Sequence, residues 1–141
     1  GPQLDYCKSI AKGKTSIVFR GFVKNVDQYL MAADTLISAS RSEGMPNSIL
    51  EALAWGIPII ATDIPPHREI LRVDPTAGLF FSVDSPVDLA RNIQHFRYNK
   101  KIQIAARRIV EKEFSANLMA AKYQEKYIKT VTEPKQYLRD L

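Results

Sequence analysis

The chain is poor in the residues that build metal and disulfide frameworks. Cys7 is the only cysteine in 141 residues, which excludes an intrachain disulfide and a cysteine-based zinc site and fits a reducing compartment. The two histidines, His67 and His95, stand far apart and lack ligand spacing. No pair of aspartates offers a cation site, and Asp63 alone reads as a turn residue. No apolar run approaches the roughly 18 residues that a bilayer crossing needs, and no signal-peptide pattern is visible. Long runs of one charge are missing as well. The 20 Lys and Arg against 15 Asp and Glu give a net charge of +5, which favours anionic partners. The densest basic pairs, Lys100-Lys101 and Arg107-Arg108, read as solvated helix faces, so no nucleic-acid partner is expected.

What is present alternates. "SIVFRG" (16–21), "TLISAS" (35–40), "IPIIAT" (57–62) and "GLFFSV" (78–83) are short apolar runs that read as buried strands. Between and around them lie helical patterns. Residues 4–11 form a short one, and 26–34 carry apolar residues at 26, 29, 30 and 33. A helix is expected from Pro46 to about Trp55, closed by Gly56, with Leu50, Leu53, Ala54 and Ile57 as its apolar stripe. "DIPPH" reads as a turn before a brief "REIL" helix. Pro86 opens another helix running to about Phe96, and two more span 101–114 and 116–131, with Ser115 as N-cap between them.

Four strands separated by helices predict an α/β fold with a Rossmann-like parallel sheet flanked by helices. The domain occupies residues 1–131, with 132–141 as a tail. Ligands of such sheets bind outside the carboxyl ends of the strands, so "RSEGMPN" and "TDIPPHRE" are expected to line one crevice.

The stretch "RSEGMPNSILEALAWG" (41–56) is the most informative. Proline at the first helical position leaves the following amides, those of Asn47 and Ser48, without a cap, and the helix dipole makes them attractive to an anion. Gly44 is expected to allow close backbone approach and an unusual φ. Glu43 and Glu51 flank this mouth, and carboxylates read sugar or ribose hydroxyls well. Taken alone, Glu43 reads more readily as a structural cap and Glu51 as a solvated surface residue; the phrase as a whole is what singles them out. His67, at the mouth of the "REIL" helix, is in reach of a substrate phosphate or is a turn histidine. Trp55 is more often a packing residue than a base-stacking one.

The segment "GFVKNVDQYLMAADTLISASRSEGMPNSILEALAWGIPIIATDIPPHREI", with "ARRIVEKEFS" after it, resembles the donor-binding, C-terminal half of retaining glycosyltransferases with two facing Rossmann-like domains (GT-B type). The resemblance is closest to the glycosyl transferases group 1 family, which includes bacterial polysaccharide and lipopolysaccharide enzymes. It rests on a glutamate, seven residues, then a glutamate, here Glu43 and Glu51, in that context. The resemblance implies a nucleotide-diphosphate sugar, most commonly a UDP-sugar, as donor substrate, with no cofactor and no metal. Glu43 would place the anomeric carbon as the catalytic residue without acting as a nucleophile. Gly44 and Met45 would touch the sugar, and Asn47 and Ser48 the diphosphate. Glu51 would hold the ribose, and Gly21, Phe22 and Val23 would border the nucleobase.

The resemblance also implies a sugar or lipid-linked acceptor and work in the cytoplasm, peripheral to the inner membrane face. Two departures stand out. Pro65-Pro66 replace the family's paired glycines, and the family's upstream phosphate-binding arginine and lysine have no counterpart here, although Lys24, Arg41 and Arg68 could lend charge. On that reading the chain begins one or two strands into its domain, is inactive alone, and exposes a sheet edge that invites dimerisation. A nucleotide-sugar epimerase and a non-catalytic nucleotide-sugar binding domain are the alternatives.

Overall fold

The computed structural model describes residues 2–132; of the expected tail, 132–141, Thr132 ends the last helix and the rest lies outside the described residues. Three parallel strands form the sheet, in the order β1 (Leu36–Ser38), β2 (Ile59–Thr62), β3 (Gly78–Phe81). Leu36 pairs with Ile59, and Ile59 with Gly78, so the three strands run in step and end together. Around them lie α1 (Leu4–Ile10), α2 (Val26–Met31), α3 (Asn47–Ala54), α4 (Pro65–Leu71), α5 (Pro86–His95), α6 (Lys100–Ile109) and α7 (Ala116–Thr132). This is the expected α/β class, a small parallel sheet flanked by helices.

All four residues of β2 are buried. Ile59 and Ala61 join Ile49, Ala52 and Leu53 of α3 and Ala105, Ala106 and Ile109 of α6 in one core. Strand alternation turns Ile60 and Thr62 to the other face; α5 contacts β2 and β3, and its Asn92 amide donates to the Phe80 carbonyl at 2.9 Å. The stripe of α3 is therefore Ile49, Ala52, Leu53 and, beyond the helix end, Ile57; Leu50 is only partly buried and Ala54 is exposed. Two stripes one residue apart fit the same 3.6-residue period, and the position of the β-sheet selects between them.

Three other expectations are corrected. "SIVFRG" is not a strand: its residues pair with no ladder, and Ile17 and Val18 are 51% and 62% exposed. A parallel strand that is apolar on both faces needs cover on both, and the neighbouring α1 buries none of its residues. "DIPPH" is not a turn, because α4 already begins at Pro65, with the two prolines filling its first positions, where their missing N–H groups cost nothing. α6 passes into a π-helical turn at Val110–Phe114 before Ser115. Ser115 does cap α7, accepting from the Leu118 amide at 3.3 Å, and Ser85 and Asn99 cap α5 and α6 in the same way.

Gly56 ends α3 with φ +80°, the left-handed closure that glycine permits. A Cβ there would lie 2.8 Å from Gln103 Cγ and 2.9 Å from Arg107 Nε on α6, so the same glycine also lets α6 approach. Gly56→Ala is expected to lower stability by about 1–3 kcal/mol through the left-handed strain and the displaced α6 side chains. Urea unfolding of the two proteins measures it, and a variant as stable as the wild type would refute this account of the closure.

Candidate functional site

The loop from Ala39 to Pro46 leaves the carboxyl end of β1 and enters α3. Pro46, with φ −79° and ψ 81°, stands just before the helix as its cap residue rather than in its first turn. Those angles are those of an inverse γ-turn, and the Asn47 N–H accordingly donates to the Met45 carbonyl at 2.9 Å. The expectation of a free Asn47 amide is thus corrected: a local turn consumes it. The N–H groups of Gly44, Met45 and Ser48 make no hydrogen bond among the described residues, and all three residues are exposed. Gly44 does not have the unusual φ expected of it; its Cα faces open space, with nothing within 4 Å of where a Cβ would stand. Three donors on one uncapped helix mouth, at its positive dipole end, suit an anion or a polyhydroxyl ligand.

The two acids are held differently. Glu43 is half-buried, and its Oε1 accepts from Ser40 Oγ at 2.6 Å. Ser40 is itself fixed, because the Thr62 hydroxyl at the end of β2 donates to its carbonyl. Glu51 is exposed on the outer side of α3, directed there by the burial of Ile49, Ala52 and Leu53. Trp55 is 39% exposed, and its carbonyl accepts from Arg107 on α6 at 3.4 Å.

Arg41 and Thr62 line one cavity of about 470 Å³ at the carboxyl ends of the strands, together with Ala39, Phe81, Asp84, Ser85, Pro86 and Leu89. Of the two stretches expected to line one crevice, only Arg41 and Thr62, the last residue of β2, do so; no residue of the loop after β2 takes part, and the loop after β3 with the start of α5 supplies most of the remaining wall. Arg41 Nε donates to Asp84 Oδ1 at 2.9 Å, and Asp84 adopts φ +60°. Sequence reasoning missed Asp84. The "VDSP" following a strand was its only trace, an acid just before a Ser-Pro helix start.

Other expected residues lie elsewhere. Phe22 is 90% exposed and Val23 half-buried, and no hydrogen bond among the described residues links Gly21, Phe22 or Val23 to 43–51. Their expected setting, the end of a first strand, is absent because 16–21 forms none. His67 is fully buried at 0% exposure and does not reach outward to a phosphate. Arg68 is engaged by Asp63 in a two-pronged pair. Among the described residues no three His, Cys, Asp or Glu side chains gather as metal ligands, and no helix is long and apolar enough to cross a membrane.

Comparison with known proteins assigns a family. The family described as Glycosyl transferases group 1 matches residues 1–98. The chain belongs to that family. Among its relatives, the O-antigen biosynthesis glycosyltransferase WclY of Escherichia coli is 27% identical over 112 residues, 79% of this chain and 31% of the relative. EpsD of Bacillus subtilis (strain 168), a glycosyltransferase by name, is 30% identical over 86 residues, 61% of this chain and 22% of its own length. The Glycosyltransferase 1 domain-containing protein 1 of Xenopus tropicalis is 32% identical over 90 residues, 63% and 26% respectively. Each match to this family member thus spans less than a third of the curated relative.

Two carboxylates titrate low. The Arg68 guanidinium hydrogen-bonded to Asp63 holds that carboxyl below its ordinary 3.8. Asp88 is also lowered, first by the Ser82 hydroxyl and then by Ser85, the cap of α5. A carboxyl lowered in the folded state stabilises it above the unfolded value and loses that contribution as pH falls through the folded one. Wild type is therefore expected to exceed Asp63→Asn in stability at pH 6, the gap closing below pH 3.8. Denaturant melts across pH 2–6 test this, and a gap independent of pH would refute it.

Proposed function

We propose that the chain binds a nucleotide-diphosphate sugar at the mouth of α3 and acts in the transfer of its sugar, with retention of anomeric configuration, to an acceptor hydroxyl in polysaccharide, lipopolysaccharide or glycolipid synthesis. A UDP-sugar is the favoured donor. The reading is carried by one observation: the exposed amides of Gly44, Met45 and Ser48 stand unpartnered between Glu43 and Glu51. Family membership supports the transferase class, and the O-antigen biosynthesis role in the name of WclY supports the polysaccharide setting.

In this reading the Ser48 amide and the α3 dipole meet the diphosphate. Asn47 contributes its side chain only, since its amide is bonded to Met45. Gly44 and Met45 face the sugar, Glu43 accepts from its hydroxyls, and Glu51 accepts from the ribose hydroxyls. Phe22, with its flanking Gly21 and Val23, offers the exposed ring beside which a base can lie. The bond from the anomeric carbon to the diphosphate oxygen breaks with its electron pair leaving on the diphosphate. The acceptor oxygen attacks the same face, and its proton passes to the departing phosphate. No protein nucleophile and no metal enters the step. The protein's contribution is fixed donors aimed at the charge that develops on the leaving group.

Calorimetric titration with UDP and UDP-glucose tests the reading. Glu51→Ala is expected to weaken both ligands about tenfold, the loss of a charge-assisted hydrogen bond. Glu43→Ala is expected to weaken UDP-glucose while leaving UDP unchanged. Absence of binding to the wild type, or equal affinities in all three proteins, would overturn it.

A further inference from the structure

His67 is the one buried polar side chain with an unsatisfied atom among the described residues: its Nε2 has no hydrogen-bond partner. An apolar residue would fill the same place without stranding a polar atom, and a stranded atom is destabilising. The other ring nitrogen is where the compensation lies. Nδ1 stands 2.8 Å from the Thr62 carbonyl, which can only accept, so Nδ1 carries the ring proton and donates. The Thr62 hydroxyl, 3.4 Å from the same nitrogen, points its own proton away, to the Ser40 carbonyl. Ser40 Oγ in turn donates to Glu43 Oε1 at 2.6 Å.

The line runs through three segments. His67 lies in α4, Thr62 ends β2, and Ser40 lies two residues past the last residue of β1. The last ladder pair of β1 and β2 is Ser38 with Ala61, so the Thr62–Ser40 bond holds the two segments together where the ladder has stopped. The Thr62 carbonyl also accepts from the Ile64 amide at 3.0 Å, and His67 therefore locks the turn between β2 and α4 onto that same residue. Without these bonds the exit of β1 has no backbone partner to fix it, and Glu43 is free to choose another rotamer.

We propose that His67 is a positioning residue for Glu43, acting through Thr62 and Ser40 to hold that carboxylate in one orientation at the mouth of α3. The placement of Glu43 against a sugar rests on the function proposed above; the hydrogen-bonded line does not, and the two are tested apart. The first measurement needs no ligand. In the ¹³C-labelled chain, with the side-chain carboxyl resonance of Glu43 assigned by its absence in Glu43→Gln, Ser40→Ala, Thr62→Val and His67→Ala are each expected to move that resonance. Thr62→Ser, which keeps the hydroxyl, and His67→Asn, whose Nδ2 can replace the Nδ1 donor, are expected to leave it near the wild-type position. The pair at Thr62 decides the matter if His67→Ala does not fold.

A Glu43 resonance unchanged in folded Thr62→Val would overturn the proposal. The second measurement compares UDP-glucose with UDP. Thr62→Val and His67→Ala are expected to reduce the ratio of the two affinities by about the same factor as Glu43→Ala, and in combination with Glu43→Ala to reduce it no further, the non-additivity of groups that act as one unit. UDP affinity itself stays at the wild-type value in the Thr62 and His67 variants. A purely structural role would instead weaken both ligands together and show no rescue by His67→Asn. If the wild type binds neither ligand while the carboxyl resonance responds as expected, the site assignment falls and the positioning line remains.

Discussion

A parallel strand with a neighbour on each edge has its backbone fully committed, and its side chains must then find cover on both faces. β2 meets that demand with four buried residues, and its needs organise the rest. One face takes the α3 and α6 core, and the sheet contacts of α5 lie with β2 and β3. Because β1, β2 and β3 run in register, their exits open on the same end of the sheet. The loops that carry Ser40, Glu43, Asp63 and Asp84 are gathered there by the ladder, whatever those loops contain.

At that end the loops are tied by side chains rather than by backbone pairing. Thr62 reaches Ser40, Ser40 reaches Glu43, and Arg41 reaches Asp84 across the crevice. The first two bonds lie in partly buried surroundings, where a lost partner is not replaced by bulk water. The third is exposed, and such pairs add little to stability. Its consequence is geometric: the guanidinium rests on Asp84, whose left-handed backbone is uncommon for a residue with a side chain. Glu43 is thus held by the firmer of two kinds of tie.

Much of this was legible in the sequence, and the parts that were not share a cause. "IPIIAT" and "GLFFSV" are strands because an apolar run of that length between turn residues has little else to be. "SIVFRG" has the same local character and remains exposed coil, since pairing is a property of the partner and not of the run. Ser115 was legible as a cap because a cap acts over three residues; Ser85 and Asn99 cap their helices over the same short span without having been singled out. The Asn47 amide was misjudged over an equally short span: the helix rule for proline placed it free, and the ψ of Pro46 closes it into a γ-turn. His67 could not be read as buried at all. Its surroundings come from Thr62 and the end of the sheet, and nothing adjacent in the chain announces them.

The spacing of Glu43 and Glu51 gains its meaning from the same distinction. Only Glu51 belongs to α3, and it faces outward because Ile49, Ala52 and Leu53 face the core, so the rotation of the helix fixes it. Glu43 precedes the helix and owes its orientation to Ser40. Of the seven intervening residues Asn47 to Leu50 already belong to α3, so the distance between the acids depends on which of many shapes the short stretch before the helix adopts. The γ-turn at Pro46 removes one of those freedoms, and the Thr62–Ser40 bond removes another at the opposite end of the loop. What remains between the two fixed points is Arg41 to Met45, with the free amides of Gly44 and Met45 inside it. A segment pinned at both ends, with its donors unspent in the middle, can present those donors at little further cost in ordering when a ligand arrives.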